Sequence, residues 1–198
     1  MGELILVRHG ETQWSAVGRH TGRTDLPLTP TGSRAAEALG TVLARRAVIA
    51  AYSSPLQRAT RTAQLAGLAP LTLDPDLVEW DYGGFEGLTS AEIRQRHPGW
   101  DLWRDGVVAG ADGHPGETLA QVAGRADAAI ARTRPRLVDG DVVVVCHGHL
   151  ARVFAARWLG LDATAGRLLR HPRPAALSCL AVDDDQPTLS TWNVVPPS

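Results

Sequence analysis

The chain has 198 residues with a formal net charge of -1 and a 44% hydrophobic content, which suits one globular domain with a substantial core and excludes both disorder and a basic nucleic-acid footprint. All 20 residues counted as Lys+Arg are arginine, so Schiff-base chemistry, pyridoxal-phosphate anchoring and a P-loop lysine are excluded as well. Any phosphate handled here must be held by Arg, His or backbone N–H groups, and the planar fork of arginine suits that task. Two cysteines, Cys146 and Cys179, are too few and too far apart for a disulfide framework or a zinc ribbon. No apolar run fits a signal peptide or a membrane span, so the expectation is a cytoplasmic protein without membrane or nucleic-acid partners.

Taken in chain order, Leu4-Ile5-Leu6-Val7 is a continuous apolar run of branched residues and reads as a strand buried on both faces. Arg8-His9-Gly10 follows at its carboxyl end. Residues 11–30 carry Gly18, Gly22, Pro27 and Pro30 without a period and read as a long functional loop. Thr31 to Arg46 has helical spacing, with Ala35, Leu39, Val42 and Leu43 on one face. Val48 to Tyr52 is a second strand. Ser54-Pro55 then predicts an N-cap and a first-turn proline for a helix running to about Gly67, with Arg58 in its first turns. Leu71 to Leu73 is a third strand.

Thr89-Ser90-Ala91-Glu92 has the form of a capping box. Residues 98–116 are irregular and hold Trp100 and Trp103, both read as packing residues, and the region 80–116 reads as a small lid-like insertion. Glu117 to Leu137 is a long helix, Val142 to Cys146 the clearest buried strand, and Leu150 to Leu159 another helix. Residues 177–182 and 188–194 close the chain as strands, with Asp183-Asp184-Asp185 as a turn between them. Strands alternating with helices predict an α/β three-layer sandwich. Its central sheet is mainly parallel, its edge antiparallel, and helices cover both faces; the whole of 1–198 reads as one domain.

Two strands end alike: Val7-Arg8-His9-Gly10 and Cys146-His147-Gly148-His149 each place a histidine before a glycine at a carboxyl end. Ligands of open α/β sheets bind along that edge, and glycine lets backbone approach them. His147 and His149 would also suit a metal. That reading ranks below phosphate, because no further acid or histidine follows at close spacing and a cation sits beside His9.

The segment Leu6-Val7-Arg8-His9-Gly10-Glu11-Thr12 resembles the signature of the histidine phosphatase superfamily, in its phosphoglycerate-mutase-like branch. The resemblance continues in family order through Thr21-Gly22-Arg23-Thr24-Asp25-Leu26-Pro27-Leu28-Thr29, Ser53-Ser54-Pro55-Leu56-Gln57-Arg58-Ala59, Glu79-Trp80-Asp81-Tyr82-Gly83 and His147-Gly148-His149. The glutamate block and Trp103-Arg104-Asp105-Gly106 are most similar to the acid phosphatase and sugar bisphosphatase members. The resemblance implies a cofactor-free, metal-independent phosphatase acting on a small phosphorylated metabolite such as a sugar phosphate. It makes His9 the nucleophile, Glu79 the proton donor, and Arg8, Arg58 and a protonated His147 the groups that hold the phosphoryl oxygens. Thr21 and Gly22 would line the substrate side, with Gly148 and His149 beside them. Ser15 stands where the family often has asparagine, and remains a phosphate contact.

Two rivals follow. A phosphoglycerate mutase has the same site but usually carries basic residues beside the glutamate, where this chain has Trp80 and Asp81. A non-catalytic phospho-ligand or protein-binding module on the same fold is the rival of another class. The oligomeric state stays open, a homodimer included.

Overall fold

The computed structural model describes residues 1–196. Its elements are β1 (Leu4–Arg8), α1 (Gln13–Ala16), α2 (Pro30–Leu43), β2 (Val48–Ser53), α3 (Gln57–Leu65), β3 (Thr72–Leu73), α4 (Ser90–Arg96), α5 (Leu102–Asp105), α6 (Leu119–Thr133), β4 (Asp141–Cys146), α7 (Gly148–Trp158), β5 (Leu177–Asp183) and β6 (Gln186–Val194). The strands form one six-stranded sheet in the order β3-β2-β4-β1-β5-β6. The pairs β3-β2, β2-β4 and β4-β1 are parallel, while β1-β5 and β5-β6 are antiparallel. The predicted mixed sheet with an antiparallel edge is therefore present.

Alternation along the central strands builds two cores. Leu4 and Leu6 of β1 and Val142, Val144 and Cys146 of β4 face α6 and α7, meeting Val122, Ala126, Phe154 and Trp158. Ile5, Val7, Val143 and Val145 point to the other face, against Leu39 and Leu43 of α2 and Ala59 and Ala63 of α3. A strand with helices on both sides has no polar face, which is why its sequence is unbroken rather than alternating. Removing each such Val or Leu from water contributes about 1.5–3 kcal/mol.

Several boundaries differ from the predicted ones. The stretch 11–30 holds α1, opened by a capping box in which Thr12 and Ser15 bond reciprocally. α2 starts at Pro30 under a Thr29 cap and stops at Leu43 rather than Arg46. Ser54 does not cap α3; the capping position is Leu56, which makes no side-chain cap bond. α6 begins under a Thr118–Gln121 capping box and tightens into a 3₁₀ turn over Arg134–Val138, because Pro135 has no N–H to continue the ladder. The Thr89–Glu92 capping box forms as predicted. Asp184 and Asp185 take positive φ in the β5–β6 turn, a conformation that Asp tolerates.

The region 80–116 buries Trp80, Tyr82, Phe85, Ile93, Trp100 and Trp103 in the core on the α6–α7 face. Among the described residues no helix is long and apolar enough to cross a membrane.

Candidate active site

Three parallel strands end side by side. The His9 N–H donates to the Cys146 carbonyl at 3.0 Å and the Ser54 N–H to the Val145 carbonyl at 3.0 Å, so the residues after β1, β2 and β4 share one edge. His9 and His147 thereby come together, their ring centroids 5.0 Å apart in an edge-to-face arrangement. The pairing of β1 with β4 brings together histidines that lie far apart in the chain.

His9 is buried, and its Nδ1 lies 2.6 Å from the Gly10 carbonyl oxygen. A carbonyl only accepts, so Nδ1 carries the proton and Nε2 keeps its lone pair. Burial, reinforced by the Arg58 and Arg8 guanidiniums, holds the His9 pKa well below the ordinary histidine value. The ring is neutral, with one nitrogen bonded and the other free.

Arg58, the second residue of α3, is completely buried. Its Nη1 donates to the Thr24 carbonyl at 2.9 Å, and its Nη2 to the carbonyls of Thr21 at 3.1 Å and Gly22 at 3.0 Å. Its Nε donates to Nδ1 of His147 at 3.2 Å. Because Arg58 only donates, His147 Nδ1 must accept, and the ring proton sits on Nε2, 2.8 Å from Ser54 Oγ. His147 is thus neutral in this arrangement, not protonated as the sequence suggested. Burial and the adjacent Arg58 charge push its pKa well down. Ser54, expected to cap α3, instead orients this ring.

Arg8 donates through Nη1 to the Pro172 carbonyl. Its Nε is buried without a partner among the described residues, an N–H left for a ligand oxygen. Burial lowers the Arg8 pKa, with Glu79 acting in the opposite sense. Glu79 lies just ahead of Trp80 and is held by three backbone N–H groups. Oε1 accepts from Trp80 at 2.9 Å and from Leu150 at 2.9 Å, and Oε2 from His149 at 3.0 Å. Two of those donors belong to the first turn of α7, whose positive end suits a carboxylate.

A cleft of ≈ 340 Å³ opens beside this edge, lined in part by Arg8, His9, Ser15, Thr21, Glu79 and His149. Arg58 and His147 are not among the residues that line it. Ser15 reaches the cleft, but its hydroxyl closes the α1 cap, accepting from Thr12 N–H at 2.9 Å and donating to the Thr12 carbonyl at 3.1 Å. Gly22 does not line the cleft. Its N–H donates to Glu86, and a Cβ there would lie 2.6 Å from the Trp80 carbonyl oxygen, so it is needed for close packing. Gly148 is the first residue of α7, and a Cβ on it would meet the His171 ring at 2.3 Å. Among the described residues no group of three His, Cys, Asp or Glu side chains converges to hold a metal.

The cleft also contains residues that sequence reasoning did not single out: Arg19, His20, Ser90, Arg152 and His171. Arg152 sits on α7 one turn past Gly148, a spacing that the predicted helix, starting at Leu150, did not include. His20 immediately precedes the Thr21–Thr29 block and is not part of it. His171 had no signal, because it comes from a loop between α7 and β5 that only the fold carries over Gly148.

Comparison with known proteins agrees with this geometry. An acid phosphatase of Mycobacterium tuberculosis is 40% identical over 178 residues, spanning 89% of this chain and 85% of its own. Sedoheptulose 1,7-bisphosphatase of Saccharomyces cerevisiae is 36% identical over 189 residues, spanning 79% and 67%. The solved structure of the product of an open reading frame from Mycobacterium tuberculosis superposes with a TM-score of 0.90 at 37% identity, covering 99% of each chain. The family model described as "Histidine phosphatase superfamily (branch 1)" matches residues 4–195, nearly the entire chain, and the protein belongs to that superfamily.

Proposed function

We propose that the protein is a phosphatase that hydrolyses small phosphomonoesters through a phosphohistidine on His9, without a metal. The observation that carries this is the Nδ1–H bond from His9 to the Gly10 carbonyl, which leaves Nε2 free on a residue that lines the same cleft as Arg8, whose Nε has no partner among the described residues. His9 Nε2 attacks the phosphorus in line, the bond to the ester oxygen breaks, and that oxygen takes a proton from Glu79. A water then gives a proton back to Glu79 and attacks the phosphorus, releasing phosphate and restoring the neutral ring. Arg8 donates to the equatorial oxygens and Arg58 contributes charge, while His147, bonded between Arg58 and Ser54, holds that guanidinium in place; this is the positioning and charge stabilisation that phosphoryl transfer needs. General acid–base help from a group like Glu79 is worth about 10²–10⁴ in rate. The relatives named acid phosphatase and sugar bisphosphatase support the reading.

Hydrolysis of p-nitrophenyl phosphate from acid to neutral pH, with EDTA present, tests it in wild type and His9→Ala. Activity that persists in EDTA and disappears in the variant, together with an acid-labile phosphoryl adduct on His9, is the expected result. Activity abolished by EDTA would overturn the metal-free reading. Interconversion of 2- and 3-phosphoglycerate outpacing hydrolysis would make the protein a mutase.

A further inference from the structure

The geometry points to His20 as a specificity-determining residue whose Nε2 accepts a hydrogen bond from a hydroxyl on the leaving group, so that the cleft selects phosphate esters of polyols. The inference rests on the phosphatase reading above and concerns the part of the cleft that the phosphoryl chemistry does not use.

Three observations carry it. His20 Nδ1 lies 2.8 Å from the Leu88 carbonyl oxygen, which only accepts, so Nδ1 holds the proton and Nε2 is a fixed acceptor. Nε2 has no partner among the described residues, yet Arg8 Nε is the one fully buried unpartnered side-chain nitrogen or oxygen among them. His20 Nε2 is therefore not fully buried, and His20 lines the cleft together with His9 and Glu79. The ring is also held in place: its centroid is 4.8 Å from Tyr82, 5.7 Å from Trp100 and 6.1 Å from His149, the last nearly parallel at 8°. Burial lowers its pKa, which keeps the acceptor unprotonated into mildly acid solution.

The neighbouring groups narrow the class of ligand. Arg152 uses Nε and Nη2 on the carbonyls of Gly166 and Arg167, leaving Nη1 as a donor on the cleft wall. A hydroxyl serves both an acceptor and a donor. An ammonium group would face Arg8, Arg19 and Arg152, and a purely anionic leaving group would satisfy the arginines while leaving His20 Nε2 without a proton. A site built to bond a substrate hydroxyl discriminates against the analogue that lacks it.

The test compares kcat/KM for ribitol 5-phosphate and n-pentyl phosphate, esters of equal carbon length with and without hydroxyls. Wild type is expected to favour the polyol ester by roughly ten- to a hundredfold. In His20→Phe, which keeps an aromatic ring among Tyr82 and Trp100, that ratio is expected to fall to within about threefold of unity. His20→Gln, which offers an amide oxygen as acceptor, is expected to recover part of it. Equal preference in wild type, or a ratio that survives His20→Phe, overturns the inference. If wild type hydrolyses neither these esters nor p-nitrophenyl phosphate, the phosphatase reading fails instead. The same ratio is then read as Kd by calorimetry, with the same outcomes for His20.

Discussion

The sheet edge and the cleft wall are built from the same residue types in opposite ways. At the edge, Arg58 has each of its nitrogens bonded to a protein acceptor and both ring nitrogens of His147 are occupied, while His9 has one nitrogen bound and one free. On the wall, His20 and Arg152 are each anchored on one side and open to the cleft on the other. The difference teaches that the reacting end is over-determined. Its protonation states are set by the protein's own donors and acceptors, which is what pre-organised electrostatics would require of the proposed phosphoryl transfer. The wall keeps unused donors and acceptors, which is what selection of a leaving group requires.

The largest expected effect would break the edge outright. His9→Ala is expected to cost at least about 10³-fold in kcat, since loss of a nucleophile is not compensated by the rest of a catalytic unit. Steady-state kinetics on p-nitrophenyl phosphate measure this, and residual activity within tenfold of wild type would remove His9 from the mechanism. Arg58→Ala tests whether edge and loop are one structure. It strips the buried carbonyl of Gly22 and the partly buried carbonyls of Thr21 and Thr24 of their donor, at about 3–5 kcal/mol of stability, besides its loss of activity. Urea unfolding should show that loss; a variant as stable as wild type would mean that the loop 21–24 does not depend on Arg58.

Acid titration sharpens the comparison next. His9, His20, His147 and His149 all have pKa values lowered by burial, whereas the unfolded chain takes up these protons near the ordinary histidine value of about 6.5. Below that pH the unfolded state binds more protons than the folded one, so stability present above it declines as pH falls. The Tm should drop steadily from pH 6.5 to pH 5, with a shallower slope in His149→Asn, while kcat/KM shows no acid limb near 6.5 because His9 stays neutral. A limb there would place the nucleophile in contact with water. The smallest effect belongs to Ser15→Ala. Its hydroxyl closes the α1 cap, so about 1 kcal/mol of stability and a change in kcat/KM within about threefold are expected. A loss of a hundredfold would restore Ser15 as a phosphate contact.

Much of this molecule is legible along the chain. Val142 to Val145 can only be a strand covered on both faces, since an unbroken branched apolar run has no side to offer water. The histidines after β1 and β4, the arginine opening α3 and the glutamate before Trp80 stand in blocks whose order identifies the family. Other features follow from contacts between segments distant in sequence. Ser54 reads locally as a cap, but the histidine after β4 lies within reach and takes its hydroxyl. The charge of His147 depends on Arg58 Nε, which can only donate, being brought against its Nδ1 from another element. The free nitrogens of His9 and His20 depend on which carbonyl each Nδ1 meets, Gly10 for one and Leu88 for the other. His171 arrives over Gly148 from a loop with no pattern of its own. The sequence by itself determined the hydrophobic periods and the residue types of the candidate site, because strands, helices and motifs are local. Tautomers, hydrogen-bond partners and the cleft wall were decided by tertiary structure, because each is set by a donor or acceptor that the chain brings near only when the sheet and its loops close.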